Sequence, residues 1–223
     1  FNTQTGTEDQ IAINKFMIEN EVNCLLSYVN DKKQIMECFN SNFKGKLFID
    51  SGAYSVWTRG KKIDVSEYID FLNTYDNKIH IFAQVDIIPG IKHKVATMQQ
   101  VNAAAQDTWR NYLFMRDKLK SPEKCLYTFH LGEPIKYLKQ ALEWRDENGG
   151  SIPYIALGGM VGKPTSVRKA FLDSCFNIIK KSSNPKVKVH AFGMTRFSLL
   201  EKYPITSADS TTWLKAGING EIM

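Results

Sequence analysis

The sequence has 223 residues, of which 43% are hydrophobic and 23% are charged. This composition excludes a disordered or fibrous chain, and the length predicts one large hydrophobic core, so we interpret residues 1–223 as a single domain. Lysine and arginine outnumber the acidic residues by 29 to 23, which gives a net charge of +6. A basic balance favours a polyanionic partner such as nucleic acid.

The sequence also disfavours a membrane protein and a cysteine-based zinc or redox site. No stretch approaches the roughly 20 apolar residues that a transmembrane helix needs, and the N-terminus lacks a basic segment followed by an apolar one. We therefore expect a cytoplasmic protein with no membrane partner. The cysteines Cys24, Cys38, Cys125 and Cys175 form no C-x-C or C-x-x-C pair, so we interpret them as reduced and structural.

Strands are predicted to alternate with helices along the chain. The predicted strands are residues 24–29, 46–50, 79–85, 125–129, 154–157, 187–192 and 205–209. Helices are predicted at residues 8–19, 31–39, 97–120, 164–181 and 195–203, with others starting at Asp64 and Pro134, and residues 213–223 supply part of an eighth element. The helix at 97–120 is expected to bury Ala104, Ala105 and Phe114. Alternation at this spacing implies parallel βαβ units, and seven or eight of them favour an α/β fold of the (β/α)8 TIM-barrel type.

Polar residues or glycines follow most of the predicted strands. They are Asp50, Asp86, His130 with Glu133, Gly158-Gly159, Gly193 after Phe192, and Asp209. Because ligands bind at the carboxyl ends of the strands in a barrel, we expect these residues at one functional rim. After Asp50 the small residues Ser51 and Gly52 allow a ligand to approach the backbone closely. The alternative for Asp50 is a residue that only caps the following turn.

Paired carboxylates at such a rim have two possible uses. In glycosyl transfer, one carboxylate attacks the anomeric carbon and the other protonates the departing group, so stereochemistry is retained after two displacements. Alternatively, Asp50, Asp86 and Asp209 hold Mg²⁺, which prefers carboxylates and water.

Five short motifs lie in order along the chain, each at a predicted strand end. They are Phe48-Ile49-Asp50-Ser51-Gly52-Ala53-Tyr54, Val85-Asp86, Ala156-Leu157-Gly158-Gly159-Met160-Val161-Gly162, Ala191-Phe192-Gly193-Met194 and Ser207-Ala208-Asp209. In this order they resemble the tRNA-guanine transglycosylase superfamily, whose enzymes are (β/α)8 barrels that exchange guanine in nucleic acid for a 7-deazaguanine. The resemblance covers most of the chain.

The resemblance implies a role for each matching residue. Asp209 is the implied nucleophile and Asp50 the acid/base residue, while Tyr54 and Phe192 stack on the two faces of the base. Asp86 is implied to hydrogen-bond the Watson–Crick edge of the purine. The implied base-binding set is Ser51, Tyr54, Asp86, His130, Gly158, Gly159 and Phe192. Single members have other interpretations, since both aromatics also suit a barrel core and the paired glycine also suits an ordinary loop.

Two sequence differences from the tRNA enzymes indicate which branch of the superfamily the chain resembles. The fourteen residues after Asp209 (223 minus 209) contain none of the cysteines of a C-x-C-x2-C zinc site, so a form without the zinc-binding subdomain is expected. His130-Leu131-Gly132-Glu133 stands where those enzymes have Gln-Gly, which leaves the reading of the base's carbonyl open. These features look more like the DpdA-type DNA-guanine transglycosylases of bacterial genomic islands and phages.

The implied partners are DNA, with RNA as the alternative, and a free 7-deazaguanine base of the preQ0 kind. Arg59, Lys61, Lys163 and Arg196 are candidates for contacts with the phosphate backbone. No metal and no other cofactor is expected. Two rival functions remain at this point: a metal-dependent barrel hydrolase that uses Asp50, Asp86, His130 and Asp209 as ligands, and a catalytically silent barrel that only binds nucleic acid or protein.

Overall fold

The computed structural model describes residues 12, 15–91, 94–194 and 196–209. The chain divides into two compact units, Phe1–Cys125 and Leu126–Met223, called here the first and second unit. Both units are built from parallel strands joined by helices, which confirms the predicted α/β class. The single-domain interpretation stays a prediction.

The first unit contains a three-stranded parallel sheet in the order β1-β2-β3. Its strands are β1 (Cys24–Ser27), β2 (Leu47–Asp50) and β3 (Ile81–Ala83). Its helices are α1 (Lys32–Asn40), α2 (Ala53–Thr58), α3 (Val65–Thr74) and α4 (Met98–Lys118), and short 3₁₀ turns cover Asp76–Lys78 and Pro122–Lys124. Residues 15–19 are also helical.

Capping residues in the sequence determine where two of these helices begin. The Asp64 carboxylate accepts hydrogen bonds from the backbone N–H groups of Ser66 and Glu67 at the start of α3. At the start of α4, Thr97 and Gln100 form a complete capping box. The start of α3 was predicted from the capping-box spacing of Asp64 and Glu67 and that of α4 from the apolar pattern after Thr97, and both helices begin within one residue of the predicted position.

The core of the first unit is rich in aromatic side chains. Tyr28 packs on Phe71 with ring centroids 4.9 Å apart, and Phe39 stacks on Tyr75 at 4.5 Å. These contacts join α1 to the C-terminal end of α3 and place Tyr28, which follows β1, against the same helix. The prediction for α4 was wrong at Phe114, which is exposed, because Tyr112 and Met115 are the large residues that α4 buries.

The second unit contains parallel strands in the order β4-β5-β6-β7. These strands are β4 (Cys125–His130), β5 (Tyr154–Gly158), β6 (Lys188–Ala191) and β7 (Ser207–Ala208), with β4 beginning at the last residue of the first unit. Its helices are α5 (Ile135–Glu143), α6 (Thr165–Lys181) and α7 (Phe197–Leu200). Phe129 of β4 stacks on Phe171 of α6 at 5.9 Å, which packs this helix against the sheet.

Several predictions fall wholly or partly outside the described residues. These are the element at 213–223, most of the helix at 8–19, and residue 195 at the start of the predicted helix 195–203. All four cysteines lie within the described residues, are buried and carry no disulfide. Burial raises the pKa of Cys125 and Cys175 to about 12, so neither thiol is a ready nucleophile. Among the helices described, none combines the length and the apolar character that crossing a membrane requires.

Candidate functional site

Asp50 is the last residue of β2, and its carboxylate folds back over the turn that follows. Its Oδ2 accepts a hydrogen bond from the backbone N–H of Gly52 at 3.1 Å. Gly52 has φ +81°, and a Cβ there would lie 2.7 Å from Oγ of Ser27 and 2.9 Å from Cβ of Val29. Only glycine meets both conditions, so the turn that orients Asp50 depends on this residue.

Tyr54 lies on α2, a short helix that was not among the predicted elements. The tyrosine is 66% exposed, and its ring lies 5.7 Å from that of Trp57 in a tilted arrangement. Ser51, which precedes the helix, is buried, and its Oγ accepts a hydrogen bond from the backbone N–H of Ala53 at 3.3 Å. Tyr54 therefore presents a ring face for stacking, whereas Ser51 supports the turn.

Asp86 follows β3 and lines a cavity of about 670 Å³ within the first unit. Most of the wall is apolar, with Trp57, Ile63 and Ile87 among the lining residues, and Lys61 is also part of the lining. Trp57 is held at the wall by a hydrogen bond from Nε1 to the carbonyl of Gly90 at 3.1 Å. An apolar cavity with a single carboxylate suits a flat ligand with hydrogen-bond donors on one edge.

Tyr68 of α3 connects the two strands that carry Asp50 and Asp86. Its hydroxyl donates to the carbonyl of Ala83 at 3.0 Å and lies 3.4 Å from the carbonyl of Ile49. Burial raises the pKa of Tyr68 well above its usual range, and the negative charges of Asp50 and Asp86 add to the effect. Both carboxylates therefore act on the same hydroxyl, which shows that the first unit brings these two predicted residues into one neighbourhood.

His130 ends β4, and its Nδ1 pairs with Oε1 of Glu133 at 3.0 Å. The Glu133 side chain is only 6% exposed, and its Oε2 is a buried oxygen without a hydrogen-bond partner among the described residues. A Cβ at Gly158 would lie 2.7 Å from Cδ2 of His130, so glycine leaves room for the imidazole. The backbone N–H of Leu131 donates to the carbonyl of Gly158 at 3.0 Å, and Gly159 follows with φ +75°. The second unit thus brings three predicted base-binding residues together, namely His130, Gly158 and Gly159.

Asp209 follows β7, and two donors converge on its Oδ1. The backbone N–H of Gly193 donates to it at 2.9 Å, and Nε2 of His190 lies 3.3 Å away. Gly193 has φ +63°, a conformation that turns the chain just after β6 and directs its N–H toward the carboxylate. Asp209 is thereby fixed through one oxygen.

His190 lies in β6 and is 1% exposed. Its Nδ1 lies 2.7 Å from Oγ of Ser207, which in turn lies 2.6 Å from the hydroxyl of Tyr154. Burial raises the pKa of Tyr154, so its hydroxyl keeps its proton at neutral pH. Tyr154, Ser207, His190 and Asp209 form a continuous hydrogen-bonded series, called here the relay.

Phe192 lies beside the relay. Its ring packs edge-on against the imidazole of His190 with centroids 4.6 Å apart.

The four residues predicted to contact phosphates are all exposed: Arg59, Lys61, Lys163 and Arg196. The Arg59 guanidinium donates to Oδ1 of Asn30 at 3.1 Å, and the carbonyl of Lys163 accepts from Arg168 at 2.7 Å.

Sequence reasoning missed three residues of the relay: His190, Ser207 and Tyr154. Tyr154 and His190 lie inside apolar strand segments, where the sequence analysis treated them as parts of strands. An available signal was a histidine in the middle of the predicted strand 187–192, because a buried imidazole needs hydrogen-bond partners.

In the described part of the chain, no three histidine, cysteine, aspartate or glutamate side chains are grouped closely enough to hold a metal ion. Together, the parallel strands and the acid side chains at their carboxyl ends define an α/β protein with a candidate site in each unit. No protein-family model matches the chain, and no curated protein is significantly similar to it.

Proposed function

We propose that this protein is a transglycosylase that exchanges guanine in DNA for a 7-deazaguanine base of the preQ0 kind. The observation that carries the proposal is the anchoring of Asp209, an acid at a strand end whose Oδ1 is held by Gly193 and His190. The order of the five motifs supports it, as does their resemblance to the tRNA-guanine transglycosylase superfamily. On this proposal the strand–helix units form a (β/α)8 barrel.

The proposed reaction is a double displacement at C1′ of the nucleotide. An oxygen of Asp209 donates an electron pair to C1′ as the bond from C1′ to the purine nitrogen breaks, and that electron pair leaves with the guanine. Asp50 supplies the proton that the departing guanine needs. In the second step the incoming base loses a proton to Asp50, and its nitrogen displaces Asp209 from C1′. Bonds and protons balance over the two steps, so neither a redox cofactor nor a nucleoside triphosphate is needed.

Base recognition is proposed to use the residues that the motif resemblance implies. Asp86 accepts hydrogen bonds from the N–H groups on the Watson–Crick edge of guanine, an interaction supported by its place on the wall of an apolar cavity. The backbone at Gly158 and Gly159, with Ser51 and His130 beside the base, completes the polar contacts. Tyr54 and Phe192 stack on the base, and the exposure of the Tyr54 ring supports its part in this role.

The nucleotide is proposed to be flipped out of the DNA stack so that C1′ reaches Asp209. Exposed Arg59, Lys61, Lys163 and Arg196 contact phosphates, and binding therefore weakens as salt concentration rises. DNA is favoured over RNA by the resemblance of the His130-Leu131-Gly132-Glu133 segment to the DNA-modifying branch. Such an enzyme acts in the cytoplasm of a bacterium or of a phage-infected cell.

A denaturing gel tests the proposal. The protein is incubated with guanine-containing DNA, and a covalent protein–DNA band is expected on the gel. Addition of free 7-deazaguanine should remove this band, because the incoming base releases the DNA from the protein. Asp209→Asn removes the nucleophile, so the band is expected to disappear and base exchange to fall by at least about 10³-fold. Asp117→Asn is the matched control, because it makes the same change at an exposed residue of α4 away from the proposed machinery, and its band is expected to persist.

Three other results would contradict the proposal or redirect it. A band of unchanged intensity in Asp209→Asn excludes this residue as the nucleophile. A band formed with RNA and not with DNA moves the proposal to the RNA-modifying branch. Turnover of DNA or RNA that a chelator abolishes, without any band, favours the metal-dependent hydrolase.

A further inference from the structure

We propose that His190 is the positioning residue for Asp209, and that its Nε2–H fixes Oδ1 and leaves Oδ2 as the oxygen that attacks C1′. The inference rests on the proposed function, since it assigns roles within the same carboxylate. It concerns a residue outside the motif resemblance, and it is argued from the hydrogen bonds of the second unit alone.

The first step of the argument concerns the number of donors on each oxygen of Asp209. Oδ1 accepts from Gly193 N–H and lies within hydrogen-bond distance of His190 Nε2, whereas no described residue donates to Oδ2. A carboxylate oxygen with two donors is a poorer nucleophile than one with none, because hydrogen bonds stabilise its lone pairs. Attack through Oδ2 also leaves both hydrogen bonds in place, since Oδ1 becomes the carbonyl oxygen of the ester.

The second step concerns the tautomer of His190. An ionised Asp209 only accepts hydrogen bonds, so the imidazole nitrogen facing it must carry a proton. Nδ1 is then the acceptor, and the Ser207 hydroxyl lies within reach of it at 2.7 Å. The relay therefore runs in one direction: Tyr154 O–H donates to Ser207, Ser207 O–H donates to His190, and His190 N–H donates to Asp209.

The third step explains why the direction is stable. Tyr154 ends the relay, and burial raises the pKa of its hydroxyl, so the proton remains available for donation. Among the described residues, Ser207 is its one recorded partner. Ser207 and His190 thus each have one donor and one acceptor contact that agree with their neighbours. This arrangement is expected to hold the imidazole ring, and through it the carboxylate, in one orientation.

The same contacts assist the second displacement. When the incoming base attacks C1′, Asp209 departs as a carboxylate and its negative charge returns. The two donors on Oδ1 stabilise that charge, which makes Asp209 a better leaving group. Loss of the His190 donor should therefore slow release from the covalent intermediate.

Two substitutions at His190 separate positioning from structural support. His190→Phe keeps an aromatic ring but removes both nitrogens, whereas His190→Gln places an amide N–H near the position of Nε2. We expect His190→Phe to lower kcat for labelled-guanine exchange by about 10- to 100-fold, the loss typical of one hydrogen bond to a charged group. KM for DNA should change by less than about 3-fold, and His190→Gln should recover at least half of the lost rate on a logarithmic scale.

The covalent intermediate provides a second readout. In His190→Phe the fraction of protein trapped as the DNA adduct should rise relative to the exchange rate, because release is slowed. If both variants exchange at the wild-type rate, the inference is wrong. If both lose the same activity together with the same loss of thermal stability, His190 has only a structural role.

A nitrogen NMR measurement distinguishes failure of this inference from failure of the proposed function. In ¹⁵N-labelled full-length protein, His190 is expected to carry its proton on Nε2, and Asp209→Leu should abolish that preference. A proton found on Nδ1 in the wild type overturns the inference even if exchange is observed. Absence of any DNA adduct or exchange in the wild type overturns the proposed function, and the tautomer still decides whether His190 donates to Asp209.

Discussion

The two units hold their strand-end acids by different means. In the first unit Asp50 is held by a backbone N–H in a tight glycine turn, and Asp86 lies on the wall of an apolar cavity. In the second unit Asp209 is held by a side-chain relay that extends through His190 to Tyr154. Asp209 also accepts from the backbone N–H of Gly193, so the second unit adds a hydrogen-bonded series of side chains to the kind of backbone contact that the first unit uses.

This difference matches two chemical tasks. An apolar cavity with one carboxylate and a nearby exposed aromatic ring is suited to recognising a flat heterocycle. A carboxylate anchored through one oxygen is suited to forming and releasing a covalent bond. We therefore expect substitutions in the first unit to change the turn and the binding of the base, and substitutions in the relay to change the rate of the chemical step.

The largest expected effect on stability comes from Gly52→Ala. A non-glycine residue at φ +81° costs about 1–2 kcal/mol, and the new Cβ also meets Ser27 and Val29, which adds roughly 1–3 kcal/mol. Gly60→Ala is the matched control, because Gly60 has φ +68° but nothing lies within 4 Å of the place that its new Cβ would occupy. Urea unfolding should therefore give a larger loss for Gly52→Ala by at least about 1 kcal/mol. Equal losses would contradict the idea that close packing fixes this turn.

A smaller effect is expected from Asp86→Asn, and it should appear in binding. Replacing the carboxylate by an amide loses one hydrogen bond to a charged acceptor and places N–H against N–H, so KM for the free base should rise by about 10- to 100-fold. Asp70→Asn makes the same change at an exposed position on α3 and should leave KM unchanged. Steady-state exchange kinetics measure both. A fall in kcat at constant KM would instead place Asp86 in the chemical step and remove the division between the units.

Much of the fold was predictable from the sequence because local signals agreed with each other. The seven strands of the described residues all overlap predicted strands, and the capping-box spacing at Asp64 placed the start of α3. The α/β class follows from these signals, because strands separated by helices pair in parallel. Asp50 was visible because it interrupts the chain where the apolar run Leu47-Phe48-Ile49 stops. Asp209 was found from its place at the end of the predicted strand 205–209 and from the motif resemblance.

The remaining features depend on contacts between residues distant in sequence. Tyr154 and Ser207 are 53 residues apart, so no periodicity connects them. The 670 Å³ cavity is likewise formed by several separate segments of the first unit. The predicted buried face of α4 was wrong at Phe114, because an apolar pattern does not show which of several large residues will be buried. Tyr112 is buried instead.

The smallest expected effect is on the stability of the fold at low pH, and it comes from an ion-pair cluster around Asp173 on the surface of the second unit. In the second unit, hydrogen bonds from Lys169 and Tyr203 to Asp173, with a further one from Lys202, lower the pKa of this carboxyl to about 2. Because the folded pKa lies below the unfolded value of 3.8, the stabilisation is complete above about pH 4 and is lost as pH falls toward 2.

Asp173→Asn should therefore lower the urea midpoint at pH 7, and the difference from wild type should shrink steadily between pH 4 and the folded pKa of about 2. Asp117→Asn is the control, since Asp117 is an exposed residue of the first unit whose recorded ion pair is with its neighbour Lys118 at 3.5 Å. Its midpoint should follow that of the wild type at every pH.

Hydrogen exchange should locate the structural effect of Asp173→Asn. Because Asp173 connects Tyr203, in the segment after α7, to α6, the backbone amides of α6 should lose protection in this variant. If the difference in urea midpoint between Asp173→Asn and the wild type stays constant with pH, the Asp173 contacts stabilise the fold through packing and not through charge.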